Sequence, residues 1–161
     1  MVDPSFTIDQ YLRIAKSEKF KIVHVVDSHK HADHISGARM LSRATGATLH
    51  LNALESYRFI DFERLQDGGR ISIGKDLSIT AMHTPGHTKG STSLLVSDEA
   101  VLAGDTIFLD GIGRPDLHED QADYAVLLYE TCCRMALILN PGIKVLPAHF
   151  APSAHLLGPC R

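Results

Sequence analysis

An apolar, β-branched run over residues 22–26 leads directly into His29-Lys30-His31-Ala32-Asp33-His34, an H-x-H-x-D-H motif. Three imidazoles and a carboxylate within six residues, set just past a predicted strand, constrain the chain more than any other feature. Neutral imidazole is the commonest zinc ligand and also suits iron, while a carboxylate adds anionic charge and can serve a bound water. The competing reading is a histidine-rich loop that binds nothing. It weakens if the rest of the chain supplies more donors at matching places.

It does. His87 lies in Thr84-Pro85-Gly86-His87-Thr88, just after a predicted strand ending near Met82. Asp105 follows Gly104 at the end of a strand over 101–103, and His149 follows Pro147-Ala148 at the end of a strand over 143–146. Metal-type donors thus stand at four strand ends, the place where α/β sheets bind ligands. Seven donors exceed the needs of one ion. They divide into His29, His31 and His87 at one centre and Asp33, His34 and His149 at a second, with Asp105 placed to bridge because a carboxylate has lone pairs for both. Asp33 and Asp105 are the candidate catalytic carboxylates.

The remaining sequence predicts a soluble α/β chain. Its 161 residues suit a single domain over 1–161, and 44% hydrophobic with 22% charged residues is ordinary for a globular protein. A net charge of −3 without a basic stripe argues against a nucleic-acid partner, and no apolar run is long enough to span a membrane. The start lacks a basic stretch followed by an apolar one, and Cys132, Cys133 and Cys160 form no disulfide pattern, so a cytoplasmic location is expected. Thr7 and Gln10 resemble a capping box before a helix bearing Ile8, Tyr11, Leu12 and Ala15. A second helix is expected from Asp33 with Ile35, Ala38, Leu41 and Ala44 on one face and Gly46 as its stop. Further expectations are a strand over 47–51, a short helix over 53–59, a hairpin of 70–73 with 77–82, and strands over 91–96 and 100–103. A long helix should then bury Ala122, Val126, Tyr129, Cys133 and Ala136 and end at Asn140-Pro141-Gly142. His24, His50, His83, His118 and His155 read as ordinary packing or surface residues, with His83 placed to back up His87.

Taken in order, H-x-H-x-D-H, Thr-Pro-Gly-His-Thr, Ala-Gly-Asp-Thr and Pro-Ala-His resemble the metallo-beta-lactamase superfamily over residues 2–149. The resemblance implies an αββα sandwich with a metal site between the edges of two sheets. Two stretches, His29 through Gly37 and Gly104-Asp105-Thr106 through Gly111-Ile112-Gly113-Arg114-Pro115-Asp116, look most like the persulfide dioxygenases. In that family one ferrous iron is held by the residues matching His29, His87 and Asp105, and the residue matching Arg114 contacts the glutathione carboxylate. Two imidazoles and a carboxylate are also the set expected of a non-haem iron oxygenase. A surface ion pair with Asp110 or Asp116 is the plainer role for Arg114.

The implied activity is oxidation of glutathione persulfide to sulfite with one Fe(II) per chain, acting on a small thiol or persulfide. The alternative is hydrolysis of a thioester such as hydroxyacylglutathione by two Zn(II), and a third reading is a metal-binding but catalytically silent domain. Phe150-Ala151 stands where the family usually has Asp-Tyr. Val2-Asp3-Pro4 looks like the end of the family's opening strands, so an incomplete sandwich with an exposed sheet edge is expected, open to pairing as a homodimer.

Overall fold

The computed structural model describes residues 1–58, 60–117 and 120–149. His118, His155, Cys160 and Phe150-Ala151 therefore lie outside the described residues.

Three buried apolar clusters define four layers. Helices α1 (Asp9–Ser17) and α2 (Ala38–Thr45) cover one face of a small parallel sheet, β1 (His24–Val26), β2 (Thr48–Leu51) and β3 (Glu63–Arg64). Successive strand residues point to opposite faces. Val25 accordingly packs outward with Leu41, Leu49 and Leu51, next to Ile8 and Leu12 of the first helical region. Val26 points inward to Ile71, Ile79, Ala81 and Leu94 of a second sheet. That sheet runs β4 (Arg70–Ile73), β5 (Leu77–His83), β6 (Thr92–Val96), β7 (Ala100–Gly104) and β8 (Lys144–Pro147), antiparallel until β8 pairs parallel with β7. Met82 and Val101 face its outer side, where Met135 of α3 (Gln121–Ile138) closes the fourth layer.

The strand directions matter for chemistry. β5 and β7 are both antiparallel to β6 and therefore run the same way, and β8 follows β7. Their C-terminal ends share one edge of the sheet, and β1 delivers its own C-terminal end to the same region.

Four local expectations are corrected. The cap of α1 is Ile8 without a side-chain bond, because Gln10 donates instead to the Ser5 hydroxyl at 3.0 Å. α2 begins at Ala38 rather than Asp33, leaving Ile35 exposed, since 33–36 are drawn into contacts of their own: Ser36 donates to both oxygens of Asp27. Gly46 ends it as expected, in the left-handed conformation at φ 70°. Residues 53–58 are turns, not helix, because Asn52 closes a local turn, accepting from the Leu54 amide with its side-chain oxygen. The long helix buries the opposite face: Tyr124, Leu128, Thr131 and Met135 are inside, while Val126 and Tyr129 are 57% and 69% exposed and Cys133 is exposed. The Thr131 hydroxyl donates to the Pro85 carbonyl at 2.7 Å, a contact that fixes this rotation of the helix.

Candidate metal centre

Each strand end contributes one part of the centre. Beyond β1, Ser28 is fixed by its amide donating to Asp3 and its carbonyl accepting from Thr92. Its hydroxyl then lies 2.9 Å from Nδ1 of His29, leaving Nε2 of His29 turned inward. Gly104 has φ 53°, and a Cβ there would stand 2.7 Å from the Ser28 hydroxyl oxygen, so the β7 end needs glycine to pass so near. Past β5, Nδ1 of His87 donates to the Arg114 carbonyl at 3.1 Å. Gly113 makes this possible, because any side chain at that position would strike the Asp105 carbonyl.

His29, His87 and Asp105 converge. Asp105 Oδ2 is 3.8 Å from His29 Nε2 and 3.5 Å from His87 Nε2. Ligating atoms of the three lie within 4.8 Å of one another. Their side chains are 1%, 7% and 11% exposed. The other carboxylate oxygen of Asp105 faces His149 Nε2 at 3.4 Å, and His149 in turn lies 3.4 Å from Asp33. Asp33 contacts His34 at 3.2 Å. This second set is open: His34, Asp33 and His149 are 31%, 47% and 48% exposed.

His31 departs from the expected partition. Its Nε2 is 3.2 Å from Asp3 and 3.9 Å from Asp27, and it falls in two candidate ligating groups, one with Asp33 and His34 and one with Asp3 and Asp27. Its ring still packs 4.2 Å from both His29 and His34, between the two sets. With Nε2 engaged by Asp3, Nδ1 is the nitrogen left for an ion. The Arg114 side chain is exposed, and its guanidinium makes two bonds to Asp116, at 2.7 and 2.9 Å. His83 does not reach His87; its Nε2 contacts the Lys89 carbonyl instead.

The residues fit a cation. His29 Nε2, His31 Nδ1 and Asp105 carboxylate Oδ1 are buried without a hydrogen-bond partner, a costly state for neutral burial and the natural one for metal ligands. Burial drives His29 down from 6.5 to about 3, with the neighbouring His31 and His87 adding to the effect, so it is a neutral lone-pair donor. Burial also pushes the Asp105 carboxyl up. For His31 burial opposes the charged form, but the hydrogen bond and charge of Asp3, with the charges of Asp27 and Asp33, together raise its pKa. A cation bound beside Asp105 would supply the compensating charge that burial withholds from its carboxylate.

Sequence reasoning missed three supports: Asp3, Ser28 and the Arg114 carbonyl. Asp3-Pro4 was visible as a strand-end dipeptide, whereas no local signal marks a backbone carbonyl as the partner of an imidazole 27 residues away.

Donors at strand ends along one edge of a two-sheet sandwich form a candidate metal centre in an α/β/β/α architecture. The metallo-beta-lactamase superfamily model matches residues 1–149, and the chain belongs to that superfamily. It is 32% identical over 157 residues to the cytoplasmic hydroxyacylglutathione hydrolase of Arabidopsis thaliana, covering 92% of this chain and 57% of that protein. It is 26% identical over 152 residues to the mitochondrial persulfide dioxygenase ETHE1 of Bos taurus, covering 92% and 58%. Among solved structures, ETHE1 from Myxococcus xanthus superposes with a TM-score of 0.83 at 29% identity, over 94% of this chain and 65% of that one. The chain thus spans little more than half the length of these two curated relatives. Among the described residues no helix is long and apolar enough to cross a membrane.

Proposed function

We propose that the protein oxidises a low-molecular-weight persulfide to sulfite, using one Fe(II) held by His29, His87 and Asp105. The observation that carries this reading is the separation of a buried set of two imidazoles and one carboxylate from an exposed second set. Both imidazoles of the buried set have their far nitrogens engaged, His29 by Ser28 and His87 by the Arg114 carbonyl, which fixes ring orientation before any ion arrives. Two histidines and a carboxylate leave positions open for oxygen and sulfur, and iron there would supply the one-electron chemistry that dioxygen requires. The overall conversion consumes one dioxygen and one water per persulfide and returns the thiol, sulfite and two protons.

The chain's own residues do the positioning. Asp105 supplies the only anionic donor of the buried set, and the 113–114 backbone ties the loop carrying Arg114 to His87. Arg114 offers a planar fork suited to a substrate carboxylate. Its pair with Asp116 is solvent-exposed, so exchanging one carboxylate for another costs little.

A second reading has its own support. Asp105 presents one oxygen to each set, and His149 sits between Asp105 and Asp33 at 3.4 Å from each, an arrangement that suits two zinc ions and hydrolysis of a thioester. The two readings separate cleanly. Protein prepared anaerobically with iron should consume oxygen and release sulfite from glutathione persulfide. Thioester hydrolysis without oxygen uptake, in protein carrying two zinc ions, selects the second reading.

A further inference from the structure

The loop that presents His87 is braced by a residue from the other sheet's side of the molecule. Glu55, in the turns that follow β2, reaches across to it with a single oxygen. Oε1 accepts from the Gly90 amide at 2.8 Å and from the Thr88 hydroxyl. Thr88 also meets Ser91, its amide donating to that hydroxyl at 3.0 Å and the two hydroxyls lying 2.9 Å apart. The Thr88 carbonyl closes back on the Gly86 amide at 3.1 Å, so His87 is enclosed by a turn whose outer side rests on Glu55. A Cβ at Gly90 would come within 2.5 Å of Glu55 Cγ, which shows how closely the two segments approach. A second tie runs alongside, from the Asn52 side chain to the Thr92 hydroxyl at 3.0 Å, both buried.

We infer that Glu55 is a positioning residue for the metal centre, clamping the Thr88–Gly90 turn so that His87 meets His29 and Asp105. The geometry explains why such a brace is needed. His29 extends from β1 of the small sheet, whereas His87 and Asp105 extend from β5 and β7 of the large one. Between those sheets lies apolar side-chain packing, which is strong but non-directional. Hydrogen bonds from the β2 side onto the His87 loop add the directional constraint that packing lacks. The irregular backbone at 53–58 has the same origin: a helix there would use its amides and carbonyls internally, whereas here the segment is shaped around the Asn52 and Glu55 contacts.

The inference rests on the reading of His29, His87 and Asp105 as metal donors, and the experiment separates the two. Glu55→Ala, Glu55→Gln and Thr88→Val are compared with the parent chain by chelator competition for Fe(II) and Zn(II). In the metal-free proteins, NMR follows the exchange of the His87 Nδ1 proton that is bonded to the Arg114 carbonyl. Glu55→Ala should weaken metal binding about 10- to 100-fold, the range of outer partners of metal ligands, and speed exchange of the His87 proton. Glu55→Gln keeps an acceptor oxygen and should recover most of both. Thr88→Val removes one of the two contacts and should give an intermediate loss. If Glu55→Ala does not fold, Thr88→Val carries the test, and affinity within twofold of the parent together with unchanged exchange overturns the brace. If the parent chain itself takes up no metal, the proposed function fails. The brace is then judged on the metal-free exchange, where equal protection in parent and Glu55→Ala overturns it.

Discussion

The two donor sets face the same cavity edge but are built differently. In the buried set each imidazole has one nitrogen committed to a fixed partner, Ser28 or the Arg114 carbonyl, and one aimed at Asp105. In the exposed set His34 and Asp33 are sequence neighbours that contact chiefly each other, and His149 approaches Asp33 and Asp105 from a separate strand end. The first arrangement is preorganised and largely buried. The second has its donors at hand but few constraints on them. On the proposed reading preorganisation favours the buried set as the one that holds an ion, because a ligand already oriented loses less freedom on binding.

The strongest way to break this comparison is Asp105→Asn. It removes the negative charge that faces both sets and leaves a single neutral oxygen where two carboxylate oxygens stood, so metal retention should fall by more than about a hundredfold, beyond the effect of an outer partner. Metal retained at the parent level, measured on protein desalted under anaerobic conditions, would show that the exposed set holds the ion. A smaller effect is expected for Ser28→Ala, which frees His29 Nδ1 while leaving every donor in place. About a tenfold loss of affinity should follow, and an unchanged affinity would mean that burial alone orients His29. Smaller again is Arg114→Ala. Its backbone carbonyl stays, so metal content should be unaltered, while the apparent KM for a glutathione-based substrate rises several-fold. Parallel loss of metal and activity would make Arg114 a structural residue.

The slightest effect is on acid stability of the metal-free protein. His29 falls from 6.5 to about 3 on burial. Between those values the unfolded chain binds the extra proton, so stability drops as pH falls through that window. Asp27, raised by burial from 3.8 to about 6, has the opposite sign. Its contribution is full at low pH and is lost as pH rises through 6. His29→Gln removes the first contribution alone. Its denaturation midpoint should therefore gain on the parent as pH is lowered below 6.5, and a constant gap would contradict the buried neutral state of His29.

How much of this was legible before the structure depended on the range of the forces involved. The H-x-H-x-D-H motif, His87, Asp105 and His149 were readable because strand ends and turns are local signals, and the two sheets bring those positions to one edge. The rotation of α3 was not. That helix carries apolar residues on every side, so periodicity favoured Val126 and Tyr129, and the choice of Leu128 and Thr131 was made by contacts with the 85–86 turn, more than forty residues away. The 53–58 segment departs from its local pattern for a related reason: its residues favour helix, but Glu55 is engaged across the molecule. His31 was grouped by spacing with His29, although Asp3, distant in sequence, fixes its Nε2.

The most direct test of the central claim is a metal count on parent and His149→Ala protein, both reconstituted anaerobically and assayed for oxygen uptake with glutathione persulfide. A single ion held by the buried set predicts about one iron per chain in both proteins, with oxygen consumption surviving in the variant. Two ions in the parent, both lost on removing His149 and accompanied by thioester hydrolysis, would contradict it.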